Sequence, residues 1–437
     1  MEISLTGAAS TAQANGAARR VLGAGAVGHF VEFYDFAIYG FSVVTIAKLF
    51  FPAGDPVVGI LAAFAVYGVA FVVRPLGGVF FGALGDRIGR RKVLAITLLS
   101  IGAATALIGL LPSYDQIGIL APVLLLVCRL VQGFSAGGEA VGAPSFVLEH
   151  APVDRRAMWI GITTAMSAVP SVVAGIFILG LTTAMPAEDY ASWGWRIPFL
   201  VAAPLSLVGL YIRRRTDESD AFKQVMAKPG VKESSPLRET FRHNRLRMLQ
   251  VFFIVSLNAL TFYFLVGYFV TYLQTVARLS QADALLSNAA GLLTFSVLLP
   301  LAGRISDAVG RKPMLLAGAL AVALASLPAF WLLTSGSLGS AMAAQVLLAA
   351  ALSLYGGGSY TFFVELFPTS TRFTGAAISY NASYALFGGT GPFIGTFLVR
   401  ETGNPGAPGY YLAAVAICVF LIALGVPETA RRDLSHH

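Results

Sequence analysis

Residues 82–91 read G-A-L-G-D-R-I-G-R-R, and residues 303–312 read G-R-I-S-D-A-V-G-R-K. Gly82, Asp86, Gly89 and Arg90 return in the second stretch as Gly303, Asp307, Gly310 and Arg311. A second echo follows in each half, where Glu149 stands seven residues before Arg156 and Glu365 seven before Arg372. The offsets of 221 and 216 residues mark two copies of one plan in a single chain. Each copy lies among long apolar stretches. Duplicated sets of membrane helices are how many secondary transporters are built.

The composition agrees. The chain is 56% hydrophobic and 12% charged, about half the charged fraction of an ordinary soluble domain. Its mean hydropathy is +0.74. A helix crosses the hydrocarbon core with about 20 apolar residues. Twelve such spans are predicted, at 21–49, 58–81, 93–111, 117–148, 157–185, 197–212, 248–273, 284–302, 313–333, 340–364, 373–399 and 410–426. The sixth and twelfth are short. Strand-like alternation is absent, so the spans must be helices, which satisfy their own backbone groups in lipid. The fold class is therefore an all-α membrane protein in two six-helix halves, residues 1–212 and 248–437, joined by 213–247.

The net charge of +8 is a topology signal and does not imply nucleic acid. With this span map, 24 Lys and Arg fall on one side and four on the other, Lys48, Arg196, Arg278 and Arg400. Basic residues stay in the cytoplasm, which predicts an inner-membrane protein with both termini inside. The joining segment begins R-R-R and holds ten basic and five acidic residues. It reads either as amphipathic helix on the anionic leaflet or as a solvated linker.

Residues 1–18 are rich in Ala, Gly, Ser and Thr and read as a disordered tail, and the first apolar run is too long and too charged for a cleaved signal peptide. His436 and His437 read as the stub of a purification tag. Cys128 and Cys418 lie within spans and read as small buried packing residues, with no disulfide or metal role. No cofactor or metal is implied. An enzyme would need a motif such as H-E-x-x-H, a Cys/His cluster or a P-loop, and none is present. A signalling receptor would be expected to carry a soluble sensing or output domain.

Five charges fall deep in spans: Glu32, Asp35, Arg74, Arg129 and Glu139. Such groups are costly and mark function by default. Glu32 lies ~18 Å along its helix from Arg20, near the midplane, and Arg129 reaches a similar depth. His29, Glu32 and Asp35 recur at i, i+3, i+6 and share one side of the first span. A buried carboxylate whose proton affinity is balanced by a cation can carry a proton. Asp35 and Glu32 are the candidates for that role, with a structural ion pair to the fourth span as the other reading. Arg129 reads as a carboxylate clamp or as a partner of those acids. Arg74 is a second carboxylate ligand or a snorkelling side chain. Glu139 is a further coupling candidate, although its place nearer the cytoplasm suits a pair with loop arginines. The second half offers no buried charge, but polar and aromatic groups instead. Asn258, Tyr263, Tyr355, Tyr380, Asn381 and Tyr384, with His29 and Tyr34 of the first span, are candidate substrate contacts. Aromatic faces also suit a quaternary ammonium.

Several stretches together resemble the metabolite:H+ symporter family of the major facilitator superfamily. They are G-H-F-V-E-F-Y-D-F-A-I-Y-G-F (28–41), R-P-L-G-G-V-F-F-G (74–82), R-L-V-Q-G-F-S-A-G-G-E (129–139), W-G-W-R-I-P-F (193–199), E-L-F-P-T-S-T-R-F-T-G (365–375) and Y-N-A-S-Y-A-L-F-G-G-T (380–390). His29 departs from the asparagine usual in that family. The resemblance implies the twelve-helix major facilitator fold around a central cavity, acting as a monomer. It implies alternating access and proton-coupled uptake of a small carboxylate-bearing metabolite, an organic acid or a zwitterion such as proline or betaine. A sodium-coupled or uncoupled carrier of the same substrates is the alternative. It also makes the echoes gates: Gly82, Asp86, Arg90, Glu149 and Arg156 in one half, Asp307, Arg311, Glu365 and Arg372 in the other.

Overall fold

The computed structural model describes residues 30–88, 90–137, 151–214, 244–367 and 372–430. Those residues are helical with short connections, and no strand occurs among them. Among the described residues, ten helices are long and apolar enough to cross a membrane: α2 (Pro56–Phe81), α3 (Lys92–Leu110), α5 (Val153–Ala184), α6 (Ala187–Tyr211), α7 (Arg245–Thr275), α8 (Gln281–Val309), α9 (Arg311–Leu333), α10 (Leu338–Glu365), α11 (Gly375–Thr402) and α12 (Ala407–Leu424). The first span, α1, is a pair of helices, Phe30–Phe41 and Val43–Phe50, bent by 66°. The fourth, α4, is the apolar helix Leu120–Ala136. This is a multi-pass membrane protein of two helical halves. Trp331, Leu324 and Ile119 project from its flank, where lipid rather than water is the solvent.

Local chemistry sets the helix boundaries. Ser280 and Ser337 accept the first free N–H groups of α8 and α10. Gly310, at φ 107°, is the single residue between α8 and α9. A side chain there would meet both a strained backbone and the Glu428 carboxylate. The echo stretches are therefore mostly helix, with Asp307 in the last turn of α8. The sixth span begins at Ala187, ten residues before its expected start, because a π-turn at Tyr190–Gly194 carries helix through the W-G-W segment.

Within the first half α2 packs on α4 and α3 on α6; within the second α8 and α9 pack on α10, and α9 on α12. The halves meet along two seams, α5 against α8 and α11 against α2. Both seams pair duplicates of the same two helices. Along these contacts between the halves, α1 also touches α7, and the approach is backbone to backbone. A Cβ built on Gly40 would lie 2.9 Å from the Gly267 Cα, and one on Gly68 would lie 2.8 Å from the Gly389 carbonyl oxygen. Gly267 and Gly389 both sit in π-turns, Phe264–Tyr268 and Tyr384–Gly389.

Two sequence expectations need correction. Cys128 is buried, but Cys418 is exposed on the flank of α12. The second half does bury charge: Asp307, Arg311 and Glu365 are almost fully enclosed. They are buried by one another and by the segment after α12, and hydrophobic depth alone could not reveal that.

Candidate functional site: a buried charge layer and two polar seams

Four of the five expected buried charges form two pairs in the first half. Arg129 of α4 donates through Nη1 to Asp35 Oδ2 at 3.0 Å. Arg74 of α2 pairs with Glu32. All four side chains are enclosed, and a buried charge left without its partner is costly. Asp35 has two further donors. Thr105 of α3 donates to Oδ1 at 2.8 Å, and the Gln132 amide also reaches Oδ1. The Gln132 carbonyl accepts from Arg129 Nη1 at 3.0 Å, and arginine has no acceptor, which fixes the amide's orientation.

Aromatic rings cover the faces of both guanidiniums. The Arg129 carbon lies 4.3 Å from the Tyr39 ring centre, 5.1 Å from Phe36 and 5.3 Å from Tyr67. Arg74 lies 5.5 Å from Phe36 and 5.7 Å from Phe71. These contacts suit a desolvated cation. The edges are less complete. Arg129 Nε and Nη2, Arg74 Nε and Glu32 Oε2 find no hydrogen-bond partner among the described residues. Nε and Nη2 are the two nitrogens that present parallel N–H bonds, the edge that grips a carboxylate with both oxygens.

Tyr263 of α7 joins this layer to the second half. Its hydroxyl lies close to the Arg74 guanidinium, and its ring packs 4.8 Å from Phe71 and 5.9 Å from Tyr384. Tyr384 stacks on Tyr380 at 4.0 Å and has Tyr360 close beside it. The Asn381 side-chain oxygen is buried without a partner among the described residues. The structure thus brings Glu32, Asp35, Arg74, Arg129, Tyr263, Tyr380 and Tyr384 into one chain of contacts. Other expected contacts lie in helix packing. Tyr34 donates to the Pro198 carbonyl at 2.9 Å, Tyr355 to the Ile254 carbonyl at 2.7 Å, and Asn258 to Ser359 at 2.8 Å. Sequence reasoning missed Gln132, Thr105 and the rings of Phe36, Tyr39, Tyr67 and Phe71. Gln132 could have been found, since it stands one turn from Arg129 on the same face of α4.

A second cluster spans the α5–α8 seam. The Asp307 carboxylate of the second half accepts from Ala157 N at 2.9 Å and Met158 N at 3.0 Å, in the first turn of helix Arg156–Ala165. Such N–H groups lack partners within their own helix, and their dipole favours an anion. Asp307 also pairs with Arg311 at 2.9 Å. Arg311 grips Glu365 with Nε and Nη2, both at 3.2 Å, and Arg156 lies close enough for its charge to reach Glu365. Thr429 donates to Glu365 at 2.8 Å. Glu428 accepts backbone N–H groups from Arg311 and Lys312 at 2.9 and 3.0 Å, capping α9. Burial pushes the Glu428 carboxyl up, but its four backbone donors outweigh that and hold it below the usual glutamate range. At the other end of the molecule, Arg400 of α11 pairs with Asp55 at 3.2 Å across the seam between halves.

Gly82, Asp86, Arg90 and Arg372 are described only as positions on their helices, and His29, Glu139 and Glu149 lie outside the described residues. The tail 1–18, most of the joining segment 213–247 and His436–His437 lie outside them as well.

The "Sugar (and other) transporter" family model matches the chain in two stretches, 23–229 and 212–437. The glycine betaine/proline/ectoine/pipecolic acid transporter OusA of Dickeya dadantii is 36% identical over 434 residues, covering 96% of this chain and 85% of the relative. The proline/betaine transporter of Escherichia coli K12 is also 36% identical, over 429 residues with the same coverage. Among solved structures, the partially occluded, inward-open xylose transporter XylE of E. coli superposes with a TM-score of 0.78 at 17% identity. That match covers 96% of this chain and all of the other. With two helical halves, a duplicated seam and relatives that are transporters along nearly its whole length, this chain belongs to the sugar (and other) transporter family of the major facilitator superfamily.

Proposed function

We propose that the protein is a proton-coupled symporter that imports a small carboxylate-bearing metabolite, with a zwitterion of the proline or betaine kind as the first choice. The observation that carries this reading is the half-used guanidinium of Arg129, buried beside a carboxylate that can hold a proton. A substrate carboxylate can take the Nε and Nη2 edge while Asp35 keeps Nη1. Two anions would then share one cation. Adding a proton to Asp35 relieves their repulsion, so substrate and proton each favour binding of the other, and such coupling is reciprocal. The tyrosines around Tyr263 offer ring faces to a cationic end. The names of the relatives, which specify betaine and proline, support the same substrate class.

In this reading the Asp307 end faces the cytoplasm, where the basic residues gather, and both termini lie inside the inner membrane. The contacts among Asp307, Ala157 and Arg311 hold that side closed, and those of Asp55 with Arg400 hold the outer side. Alternating access makes and breaks them in turn.

The test is uptake of labelled proline and glycine betaine by proteoliposomes under an imposed pH gradient. Accumulation driven by an inward proton gradient, and lost with Asp35→Asn, is the expected result. Uptake that ignores the pH gradient and follows sodium, or that never exceeds equilibration, overturns proton coupling.

A further inference from the structure

Thr105 lies at the end of the Asp35 network and is fully buried. Its hydroxyl oxygen is 2.8 Å from Asp35 Oδ1 and 2.7 Å from the Ile101 carbonyl. Both are acceptors when Asp35 is ionised, and a hydroxyl has one hydrogen. The same oxygen accepts from the Gln132 amide at 2.9 Å. Two acceptors therefore compete for one donor, beside the carboxylate already assigned to coupling.

We propose that Thr105 is a positioning residue that keeps Asp35 hydrogen-bonded in both of its protonation states, its single hydroxyl hydrogen turning between the Asp35 carboxylate and the Ile101 carbonyl. The proposal rests on the reading of Asp35 as the proton carrier. With Asp35 ionised, the hydroxyl donates to Oδ1 and accepts from Gln132. When a proton arrives on Oδ1, the carboxyl becomes the donor and Thr105 accepts from it. The hydroxyl hydrogen then swings to Ile101 by rotation about one bond, and no other bond breaks. The Ile101 carbonyl sits four residues earlier on the same helix and loses nothing when the hydroxyl leaves it. Arg129 and Gln132 cannot reverse in this way, since N–H groups only donate. Without Thr105, one protonation state would leave a polar group unmatched in a dry site.

Among the described residues, the other titratable groups facing Asp35 are Arg129 and Cys128 from α4, Tyr67 from α2 and Tyr39 from its own helix. Of these, only Arg129 carries a charge beside Asp35 near neutral pH, and it is common to every variant below. Glu32, paired with Arg74 of α2, stands one turn away on α1.

The test is a pH titration of the full-length protein in lipid by infrared difference spectroscopy, following the protonated-carboxyl band that Asp35→Asn removes. Thr105→Val keeps the shape and deletes the hydroxyl. Both forms lose a hydrogen bond, but the one to the ionised form is the stronger, so the proton binds more tightly and the midpoint rises, by up to about one pH unit. The carbonyl band also moves to higher frequency, because the protonated carboxyl has lost its acceptor. Thr105→Ser restores both values, which a purely structural role would not require. Should Thr105→Val not reconstitute, Thr105→Ala removes the same hydroxyl. If Asp35→Asn removes a band and the hydroxyl-free variant leaves its midpoint and frequency unchanged, the Thr105 proposal is overturned alone. If Asp35→Asn removes no band, Asp35 does not titrate, and the coupling reading falls together with it.

Discussion

Arg129 holds Asp35 by a single nitrogen, Nη1 at 3.0 Å, whereas Arg311 holds Glu365 by the full edge of Nε and Nη2, each at 3.2 Å. Both arginines are enclosed to the same degree. The difference lies in what their edges are given. Arg311 is saturated by its own chain and cannot take a further anion without losing Glu365. Arg129 can take one and keep Asp35.

Arg129→Gln is therefore expected to weaken substrate binding by about 2–5 kcal/mol, on the order of 30-fold or more in Kd. Arg129→Lys retains the charge but not the two-pronged edge, and should fall between Gln and wild type. Arg74→Gln should cost less, since its pair with Glu32 and its reach to Tyr263 already occupy it. Calorimetry with proline and glycine betaine on folded, reconstituted protein decides. Wild-type affinity in Arg129→Gln would move the carboxylate site to Tyr263, Asn381 and their neighbours.

Asp307 binds the first turn of a helix belonging to the opposite half. A carboxylate in such a place is worth about 1–2 kcal/mol, so Asp307→Asn should shift the balance of states 5- to 30-fold toward opening at that end. Spin labels on residues 304 and 154, where Arg304 now donates to the Asp154 carbonyl, would show a longer distance gain population. An unchanged distribution would leave Asp307 as a local cap with no influence on access.

Glu428 gives a pH signature outside the membrane. Its folded-state proton affinity is lowered by the backbone donors of Arg311, Lys312, Thr429 and Ala430. The sign follows from linkage: the stabilisation is present above the ordinary glutamate range and fades as pH falls through the lower folded value. Glu428→Gln should lose about 1 kcal/mol at neutral pH, the usual worth of a helix cap. The gap between variant and wild type should close in acid. Thermal unfolding at several pH values measures it, and a gap constant with pH would mean that the charge on Glu428 contributes nothing.

The duplicated fold was legible because uninterrupted apolar length is a strong signal and the echo G-x-x-x-D-x-x-G-R repeats at a fixed place in each half. Glu32, Asp35, Arg74 and Arg129 were legible for the opposite reason, as charges where charges are costly. Thr105 was not, because one threonine in an apolar span resembles any other until the helices pack and place it against Asp35. The burial of Arg311 and Glu365 was hidden likewise. Both sit at span ends, and the residues that enclose them lie after α12. The early start of α6 escaped because Glu188 and Asp189 interrupt the apolar run.

The contacts of Gly40 with Gly267 and of Gly68 with Gly389 have a directional consequence. Where side chains meet, substitution can tighten a joint or slacken it, since bulk can be added or removed. At Gly40 and Gly68 an added side chain would meet bare backbone, so nothing remains to trim, and each of the nineteen other residues can only act as a wedge. Random change at these two positions thus pushes the halves one way, toward separation. The closeness of the halves at these points stands at a limit from which mutation there can only retreat.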